Sequence, residues 1–410
     1  MNTSLPRLAL AWFALTAATT ILAQPPTWQT PPGWTETRGG SGGKTIQVTT
    51  LAPQGEGSLA AALALAAPRI IEFKVAGAID LGGKSLKVAH PQVTIAGETA
   101  PSPGITLTGG GLSIATHDVI VRHLRIRPGA GDRKRKSGWE VDGLATGAGA
   151  HDIIIDHCSI TWSTDENLSA SGPRFEGQTP DDWRKNTSHG ITFHHCIIGE
   201  GLYDSTHSKG PHSKGSLIHD NATQIAILGN LYISNDDRNP LFKGGARGAV
   251  VNNLIHNPGH RVMQYALNAG EWQGHDWQRG AMTIVGNVAR KAASSSTQIA
   301  FLESKGPCDI FLKDNLYYDA AGKPLPAIPQ FRDDQQRLST ADPRNELLAA
   351  TAPLHWPPKL EARPASETAA WVLTNAGARP WDRDPTDSRL IQEAKTGGGK
   401  IINFESEAGR

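Results

Sequence analysis

Short runs of alternating apolar and polar residues recur through the middle of the chain. They begin at His117 ("HDVIVRHLRIR"), His151 ("HDIIIDHCSIT"), His189 ("HGITFHHCIIG"), Thr223 ("TQIAILGNLYIS"), Arg247 ("RGAVVNNLIHN"), Arg279 ("RGAMTIVGNVAR") and Cys308 ("CDIFLKDNLYYD"). Each run reads as a strand, one polar residue and a second short strand. We take the polar residue of the turn as His123, His157, His195, Asn230, Asn253, Asn287 and Asn315. A fixed unit at irregular spacing predicts an all-β parallel solenoid whose coils vary one loop. An antiparallel sandwich is the alternative, but hairpin dipeptides are scarce.

The two ends of this region differ from it. An apolar pattern from about Leu59 to Ala66, ended by Pro68, predicts a short helix that covers the first coil. Beyond about Lys323 the pattern lapses, with helical stretches near Glu346 and over Asp387 to Glu393. We therefore predict a linker over 24–39, the solenoid over 40–322 and a C-terminal extension over 323–410 that packs along its outside.

The charge balance narrows the choice of partners. The 410 residues include 40 Lys and Arg against 39 Asp and Glu, so neither a nucleic acid nor a membrane surface is indicated. Arg7 and the apolar run that follows it to Ala23 are typical of a secretory signal over residues 1–23. We expect an exported monomer whose partner is recognised by local charge.

Three cysteines, Cys158, Cys196 and Cys308, are too few for a disulfide framework. Cys158 and Cys196 occupy equivalent places in successive coils. We expect stacked buried thiols there rather than a bond, although export permits oxidation.

Several motifs follow one another between residues 40 and about 320. They are "VDGLATGAGAHDIIIDHCSITWSTDENLS" from Val141, "HSKGSLI" from His212, "RNPLFKGG" from Arg238 and "VVNNLIHN" from Val250. Each motif alone is weak, but their order is similar to that in the pectate lyase family of right-handed parallel β-helices. The resemblance implies this fold, with a short N-terminal capping helix and an irregular C-terminal segment.

The resemblance also implies a reaction. A lyase of this family removes the proton beside a carboxylate of a uronic-acid chain and expels the sugar oxygen, so cations near that carboxylate are the first need. Arg238 matches the family's proton-abstracting arginine, and Lys214 and Lys243 match cations that hold the substrate carboxylate. A free guanidinium keeps its proton above pH ~12, so an alkaline pH optimum is expected. Pectate is the default substrate, and another acidic polysaccharide is the alternative.

Calcium is the cofactor that the resemblance implies, because the ion bridges protein acids and the substrate carboxylate and takes hard oxygen ligands. The matching acids are Asp142, Asp165 and Glu166. Ser169 stands where the family usually has a further acid, which puts the calcium affinity in question.

Each candidate also has an ordinary structural explanation. Asp142 and the "TDEN" segment are typical of turns and solvated loops. Arg238 is placed to form a surface salt bridge with Asp236 or Asp237, which contributes at most ~1 kcal/mol.

Two further groups carry candidate chemistry. The loop "GDRKRKSGW" over residues 131–139 holds four cations, and solvation and contact with a polyanion explain it equally well. Four histidines resemble a metal cluster, but the spacing of a zinc site is missing, so we predict turn and groove-lining roles for them. These are His194, His195, His207 and His212.

Three function classes compete. A polysaccharide lyase needs the convergent cations described above. A glycoside hydrolase needs two carboxylates across the scissile bond, for which Asp236 and Asp237 are the candidates. A non-catalytic carbohydrate-binding solenoid needs exposed aromatic platforms, for which the candidates are Trp139, Trp162, Trp272 and Trp277.

Overall fold

Three long sheets, each receiving one strand from every coil, build the fold. The computed structural model describes Met1 and residues 27–333, 335, 337–342, 344 and 346–408. Apart from Met1, the predicted signal segment therefore lies outside the described residues. In each coil the chain passes through sheet A, sheet B and sheet C, and then returns to sheet A one coil further on. The fold is the predicted right-handed parallel β-helix, and the antiparallel sandwich is wrong.

Sheet A has 11 strands. Their bounds are Lys44–Val48, Arg69–Phe73, Val93–Ala96, His117–Arg122, His151–Asp156, His189–His194, Thr223–Leu228, Arg247–Val251, Gly280–Val285, Cys308–Lys313 and Leu347–Ala349. All of them pair in parallel, with successive coils in register.

Sheets B and C have 10 strands each. Sheet B consists of Gly77–Asp80, Ile105–Thr108, Arg125–Arg127, Ser159–Thr161, Ile197–Gly199, Leu231–Ile233, Leu254–His256, Val288–Arg290, Leu316–Tyr318 and Pro324–Leu325. Sheet C consists of Leu86–Val88, Leu112–Ile114, Leu144–Thr146, Leu168–Ala170, Leu217–Ile218, Leu241–Lys243, Met263–Ala266, Leu302–Lys305, Pro329–Arg332 and Leu338–Ser339. The last strand of each of these two sheets pairs antiparallel, in a hairpin at the C-terminal end.

The helices lie in connections between strands and in the C-terminal extension. The α-helices are Leu59–Leu63, Pro180–Asn186, Ala365–Asn375 and Pro385–Thr396, and the 3-10 helices are Gly97–Thr99, Ala269–Trp272 and Glu405–Glu407. Within the described residues, no helix is both long enough and apolar enough to cross a membrane.

The interior is filled by side chains that alternate along the strands. Ile153 and Ile155 of one coil stand beside Ile191 and Phe193 of the next, and all four are fully buried. Ile154, between Ile153 and Ile155, is also buried but lies outside this interior cluster. The period of two therefore separates the two faces of the strands, as the pattern in the sequence predicts.

A ladder of asparagines, buried except for the partly exposed Asn315, runs along the turn between sheets A and B. The backbone N–H of Asn230 donates to Oδ1 of Asn253, that of Asn253 to Asn287, and that of Asn287 to Asn315, each at 2.9 Å. The side-chain amides donate to the same oxygens at 2.9–3.1 Å. The four predicted asparagines therefore do stack.

The predicted equivalence of the histidines with these asparagines is wrong by one residue. His123, His157 and His195 have positive φ angles of 48–55°, as does Asn252 at 53°. The histidines thus match the residue before each ladder asparagine. Leu124, Cys158 and Cys196 occupy the ladder position itself, and the N–H of Cys196 donates to Oδ1 of Asn230 at 2.8 Å.

The thiols are buried and free at all three cysteines, each of which the structure describes. Cys158 and Cys196 are fully buried in successive coils. The prediction of stacked thiols rather than a disulfide is confirmed.

The predicted terminal elements are partly correct. The helix Leu59–Leu63 buries Leu59, Ala62 and Leu63 against the first coil, as expected. The segment near Glu346 leads into a strand of sheet A, not a helix. The helix Pro385–Thr396 is confirmed, and Ala365–Asn375 was not predicted.

The C-terminal extension packs on the outer face of sheet B. Val372 and Leu390 from its two helices join Ile197, Leu231 and Leu254 of the sheet in one apolar cluster. The extension is therefore anchored on the solenoid by a core of its own.

Candidate functional site

The loops that connect sheet B to sheet C carry five of the six predicted site residues. These loops span residues 128–143, 162–167, 200–216 and 234–240. Parallel bridges join Glu166 to Lys214 and Lys214 to Asp237, so three successive loops are held side by side. The sixth residue, Lys243, ends the strand Leu241–Lys243 in sheet C.

The three predicted metal ligands lie together. Carboxylate oxygens of Asp142, Asp165 and Glu166 are all within 4.8 Å of one another. The backbone N–H of Glu166 donates to Oδ1 of Asp142 at 3.1 Å, which connects the two loops. Burial, followed by the nearby charge of Asp165, raises the pKa of Asp142 to about 7. Crowded carboxylates of this kind fit a hard divalent cation, since the ion would relieve their repulsion.

Two histidines that the sequence analysis placed in the groove contact Asp165. Nε2 of His212 lies 2.8 Å from Oδ1 of Asp165, and Nε2 of His207 lies 3.7 Å from Oδ2. The two rings stack with centroids 3.7 Å apart. The N–H of Lys209 donates to Nδ1 of His207 at 3.1 Å, so the neutral ring of His207 carries its proton on Nε2, facing Asp165.

These histidines keep Asp165 ionised. Burial alone would raise the pKa of Asp165, but the hydrogen bond and charge of His212, with further charge from His207 and Arg238, bring it below the ordinary value. Groove lining is therefore the observed position of His207 and His212. Their contact with a predicted metal ligand was missed, because the sequence places them more than 40 residues from Asp165.

Arg238 faces the acidic cluster. Its guanidinium forms an ion pair with Glu166, and its Nε lies 3.9 Å from Oδ1 of Asp237. The backbone adopts a left-handed φ of 61°, and the N–H donates to Oε1 of Gln264 at 3.1 Å. Burial lowers the pKa of Arg238, while the charges of Asp165 and Asp142 oppose this effect. The principal partner is thus Glu166, not the neighbouring acids considered from sequence.

Lys214 lies in the loop 200–216, next to the loop that carries Arg238. Its Nζ lies 3.0 Å from Oδ1 of Asp237, and the side chain is 10% exposed. Asp237 also accepts from Arg261 at 3.2 Å. Arg261 was not singled out in the sequence, because its segment carries no recognisable motif.

Lys243 has a separate set of partners. Its Nζ pairs with Glu271 and lies 3.7 Å from Asp220, and Arg174 contacts the same two acids at 2.7 and 3.1 Å. Lys243 therefore belongs to an ion cluster with Arg174, Asp220 and Glu271, and its charge is shared with two carboxylates.

Ser169 does not face the acidic cluster as a ligand. It lies in the sheet C strand Leu168–Ala170, and its Oγ accepts from the N–H of Leu217 at 3.2 Å. The loop 162–167 consequently supplies Asp165 and Glu166 as its carboxylates.

The acids considered for a hydrolase are not arranged as a pair. Asp236 pairs with His260, whereas Asp237 contacts Lys214 and Arg261. The two neighbouring carboxylates therefore have different partners, whereas a glycosidase needs its two carboxyl groups on either side of one scissile bond.

The predicted aromatic platform is also incomplete. Trp272 is 1% exposed, and its Nε1 donates to Asp220 at 3.0 Å, so it is a core residue. Trp277 is 51% exposed. Trp162, with Arg127 and Arg133, lines a cavity of ≈ 400 Å³ below the basic loop 131–139. Arg133 stacks over Trp139 at 3.8 Å in that loop.

Curated relatives cover most of the chain. It is 30% identical over 374 residues to the probable pectate lyase C of Neosartorya fischeri, covering 90% of this chain and 77% of that protein. It is 31% identical over 375 residues to the probable pectate lyase C of Aspergillus terreus, covering 90% and 78%. No family model matches the chain.

Solved structures share the fold. Jun a 1, the major allergen from cedar pollen, matches with a TM-score of 0.56 at 16% identity, over 85% of this chain and 92% of that chain. A pectate lyase bound to a hexasaccharide matches with a TM-score of 0.54 at 15% identity, over 85% and 97%. At this identity the likeness establishes the parallel β-helix.

Proposed function

Since the chain belongs to the pectate lyase family, we propose that it cleaves pectate, or a related uronic-acid polymer, by calcium-assisted β-elimination with Arg238 as the base. The observation that carries the proposal is the convergence of Arg238 with three carboxylates and Lys214 on adjacent loops. An acidic substrate needs cations at its carboxylate, and a divalent ion needs acids. This edge of the solenoid supplies both.

Arg238 removes the proton beside the substrate carboxylate. The electron pair of the broken C–H bond forms the new double bond, and the glycosidic C–O bond breaks with its electrons on the leaving sugar. Negative charge therefore accumulates on the carboxylate during proton removal. Lys214 and Lys243 stabilise that charge. Electrostatic stabilisation of developing charge is usually the largest single contribution to catalysis.

The ion pair with Glu166 sets a requirement for this base. A carboxylate beside a guanidinium favours the protonated form of the guanidinium. Arg238 is therefore held protonated while Glu166 faces it. The burial of Arg238 works in the opposite direction. Arg238 can accept a proton only after Glu166 is neutralised or turned away, and an alkaline pH optimum follows from the same reasoning.

Asp142, Asp165 and Glu166 would hold the calcium ion. When bound, calcium supplies positive charge to the substrate carboxylate. His212 orients Asp165 for that role through a ring N–H, and the ring of His207 lies 3.7 Å from the other carboxylate oxygen. No carboxylate comes from position 169, so we expect the affinity to depend strongly on the three acids.

A direct assay tests the proposal. The protein is incubated with polygalacturonate and a panel of other uronic-acid polymers, and new unsaturated uronate ends are followed by absorbance. We expect activity that chelator abolishes and calcium restores. Reducing ends without unsaturated ends would indicate a hydrolase, and binding without cleavage would indicate a carbohydrate-binding solenoid. Full activity after exhaustive chelation would remove the three acids from metal binding.

We also infer that the enzyme is exported as a monomer after removal of residues 1–23. The signal pattern over residues 1–23 supports export. The proposed organisation is a linker over 24–39, a catalytic solenoid over 40–322 and an extension over 323–410, whose strands Pro329–Arg332 and Leu347–Ala349 continue sheets C and A of the solenoid. N-terminal sequencing and size-exclusion chromatography of the secreted protein test these points.

A further inference from the structure

A second cluster of ionisable side chains lies at the turn between sheets A and B, away from the acidic cluster. Asp156 and His194 end neighbouring strands of sheet A, and His157 and His195 follow them at the turn. Potential ligand atoms from all four residues lie within 4.8 Å of one another. The reaction proposed above uses none of these residues.

The hydrogen bonds of Asp156 converge on one oxygen. Nδ1 of His157 lies 2.7 Å from Oδ1, and Nδ1 of His194 lies 2.8 Å from the same atom. The other oxygen, Oδ2, accepts from Nε1 of Trp28 at 2.6 Å. Asp156 is 1% exposed, so Trp28 fixes a buried carboxylate with Oδ1 turned toward the two imidazoles.

The hydrogen-bond contacts of this cluster determine which ring nitrogens carry protons. A carboxylate only accepts, so both Nδ1 atoms donate, and the neutral ring of His157 then has a bare Nε2. That atom lies 3.1 Å from Nδ1 of His195, which must donate to it. The neutral ring of His195 is left with a bare Nε2, which is buried and has no hydrogen-bond partner among the described residues.

We propose that Asp156, His157 and His194 bind a transition-metal ion of the Zn²⁺ class, with His195 holding the ring of His157. Two imidazoles and a carboxylate are a ligand set that zinc uses, with Zn–N distances of about 2.0–2.1 Å. The ion takes the place of the two protons on Nδ1. Each proton moves to the Nε2 of the same ring, as metal binding through Nδ1 requires.

This rearrangement also removes the bare nitrogen. His157 then donates from Nε2 to Nδ1 of His195, and His195 carries its proton on Nε2. The ring of Trp371 packs edge to face against the ring of His195, with the two centroids 4.7 Å apart. A partner that holds the free nitrogen of a ligating histidine is the usual second contact of zinc sites.

The site has an entry path and a structural consequence. The side chains of His157 and His194 are 18% and 15% exposed, so an ion reaches them from solvent. Trp28 belongs to the N-terminal segment, and the N–H of Gly377 in the C-terminal extension donates to the carbonyl of His195 at 2.8 Å. A bound ion would therefore tie both terminal segments to the coils.

The experiment uses the full chain after exhaustive dialysis against chelator. Co²⁺ is added as a spectroscopic probe, and binding is followed by visible absorbance and by equilibrium dialysis with Zn²⁺ as competitor. We expect one Co²⁺ per chain that Zn²⁺ displaces and excess Ca²⁺ does not. His194→Gln should abolish this binding, and His195→Gln should weaken it about 10- to 100-fold. Zn²⁺ should raise the melting temperature of the unmutated protein.

Matched controls locate the ion. His189→Gln changes a histidine of the same strand outside the cluster and should leave binding intact. A double variant, His207→Gln with His212→Gln, removes the imidazoles beside Asp165 and should leave it intact too. The proposal is overturned if no Co²⁺ binds at micromolar concentration, or if the double variant rather than His194→Gln abolishes binding. If His194→Gln does not fold, the melting temperature provides the test. Zn²⁺ should then raise the melting temperature of the unmutated chain but not that of Asp156→Asn.

Discussion

The carboxylate partner of Arg238 controls its chemistry at the scale of single residues. Glu166 pairs with the guanidinium, while Lys214 and Arg261 neutralise Asp237. The negative charge nearest to Arg238 therefore belongs to a residue that is also a proposed calcium ligand. Whatever draws Glu166 toward a metal lowers the preference of Arg238 for its proton, so the base and the metal site are electrostatically linked.

Arg238→Lys tests the base directly. Lysine keeps the positive charge, but it lacks the planar guanidinium and places its nitrogen elsewhere. Turnover on pectate should therefore fall ~10²-fold or more, as for a displaced acid–base group. Substrate binding should change little, because Lys214 and Lys243 remain. The melting temperature should also stay close to that of the parent. If Arg238 serves only as the structural partner of Glu166, turnover stays within a few-fold of the parent and any loss follows the melting temperature.

Asp142→Asn tests the crowding of the acids through pH. The folded-state pKa of Asp142 is about 7, against ~3.9 for an unfolded aspartate. The folded state therefore binds more protons between these values, and in chelator the stability of the parent falls as pH rises through this window. At pH 8 in chelator, Asp142→Asn should melt about 2–4 °C higher than the parent, a shift typical of ~1 kcal/mol in a large domain.

The same variant has an internal control. At pH 5 the parent carboxyl is already largely protonated, so the two melting temperatures should coincide. With calcium the order at pH 8 should reverse, because the variant lacks a ligand and gains less from binding. Identical pH profiles in chelator would show that neither burial nor the charge of Asp165 raises the pKa of Asp142.

At the scale of elements, the asparagine ladder shows which features of the coils a sequence pattern predicts and which it does not. The repeat of strand, turn and strand was visible because β-branched residues alternate around one polar position. The register between the histidine coils and the asparagine coils was not visible, because both residue types tolerate a left-handed turn. The structure distinguishes the two positions. His195 adopts a left-handed φ of 50°, whereas Asn230 matches the residue after it, and its side chain joins the ladder.

Asn253→Ala should destabilise the solenoid strongly. Asn253 is fully buried, its Oδ1 accepts from the backbone of Asn230, and its Nδ2 donates to the carbonyl of Ile227 at 2.9 Å. Alanine leaves these groups unpaired, and each unsatisfied buried group costs about 1–3 kcal/mol. Urea unfolding should show a loss of about 3 kcal/mol or more.

Asn315→Ala provides the matched comparison. Asn315 ends the ladder in a partly exposed position, with the same type of contact to the carbonyl of Ile284 at 2.9 Å. Water can satisfy the groups left behind there, so a smaller loss is expected. Equal losses at the two positions would mean that burial does not determine the strength of the ladder.

Elements outside the repeat were harder to predict. Leu347–Ala349 pairs with Cys308–Ile310 as the last strand of sheet A, so a tertiary contact overrides its local helical preference. The helix Ala365–Asn375 buries small residues such as Ala365 and Thr368, which give little hydrophobic periodicity. At the site, the ion-pair partners of Lys243 could not be predicted, since Glu271 and Asp220 come from other coils.

At the scale of the whole molecule, the C-terminal extension supports the functional loops as well as sheet B. The carboxylate of Glu405 accepts from the N–H groups of Ala130 and Gly131 at 3.1 and 2.8 Å. The N–H of Tyr203 donates to the carbonyl of Ile402 at 2.8 Å. These contacts brace the loops that carry Asp142 and Lys214, so the extension helps to position residues far from it in sequence.

A buried ion network fastens the extension to the solenoid, and Asp387→Ala tests it. Asp387 is fully buried, contacts Arg127 at 2.8 Å and accepts from Oγ of Ser159 at 2.7 Å. Removing one partner of a buried pair leaves an uncompensated charge and costs about 3–5 kcal/mol. Because the extension shares an apolar cluster with sheet B, this loss should appear as one cooperative urea transition at a lower midpoint. Glu367→Ala, which removes a 60% exposed partner of Arg363 in the same extension, should cost less than ~1 kcal/mol. An early separate transition in Asp387→Ala, or equal losses in the two variants, would mean that the extension docks through its apolar face alone.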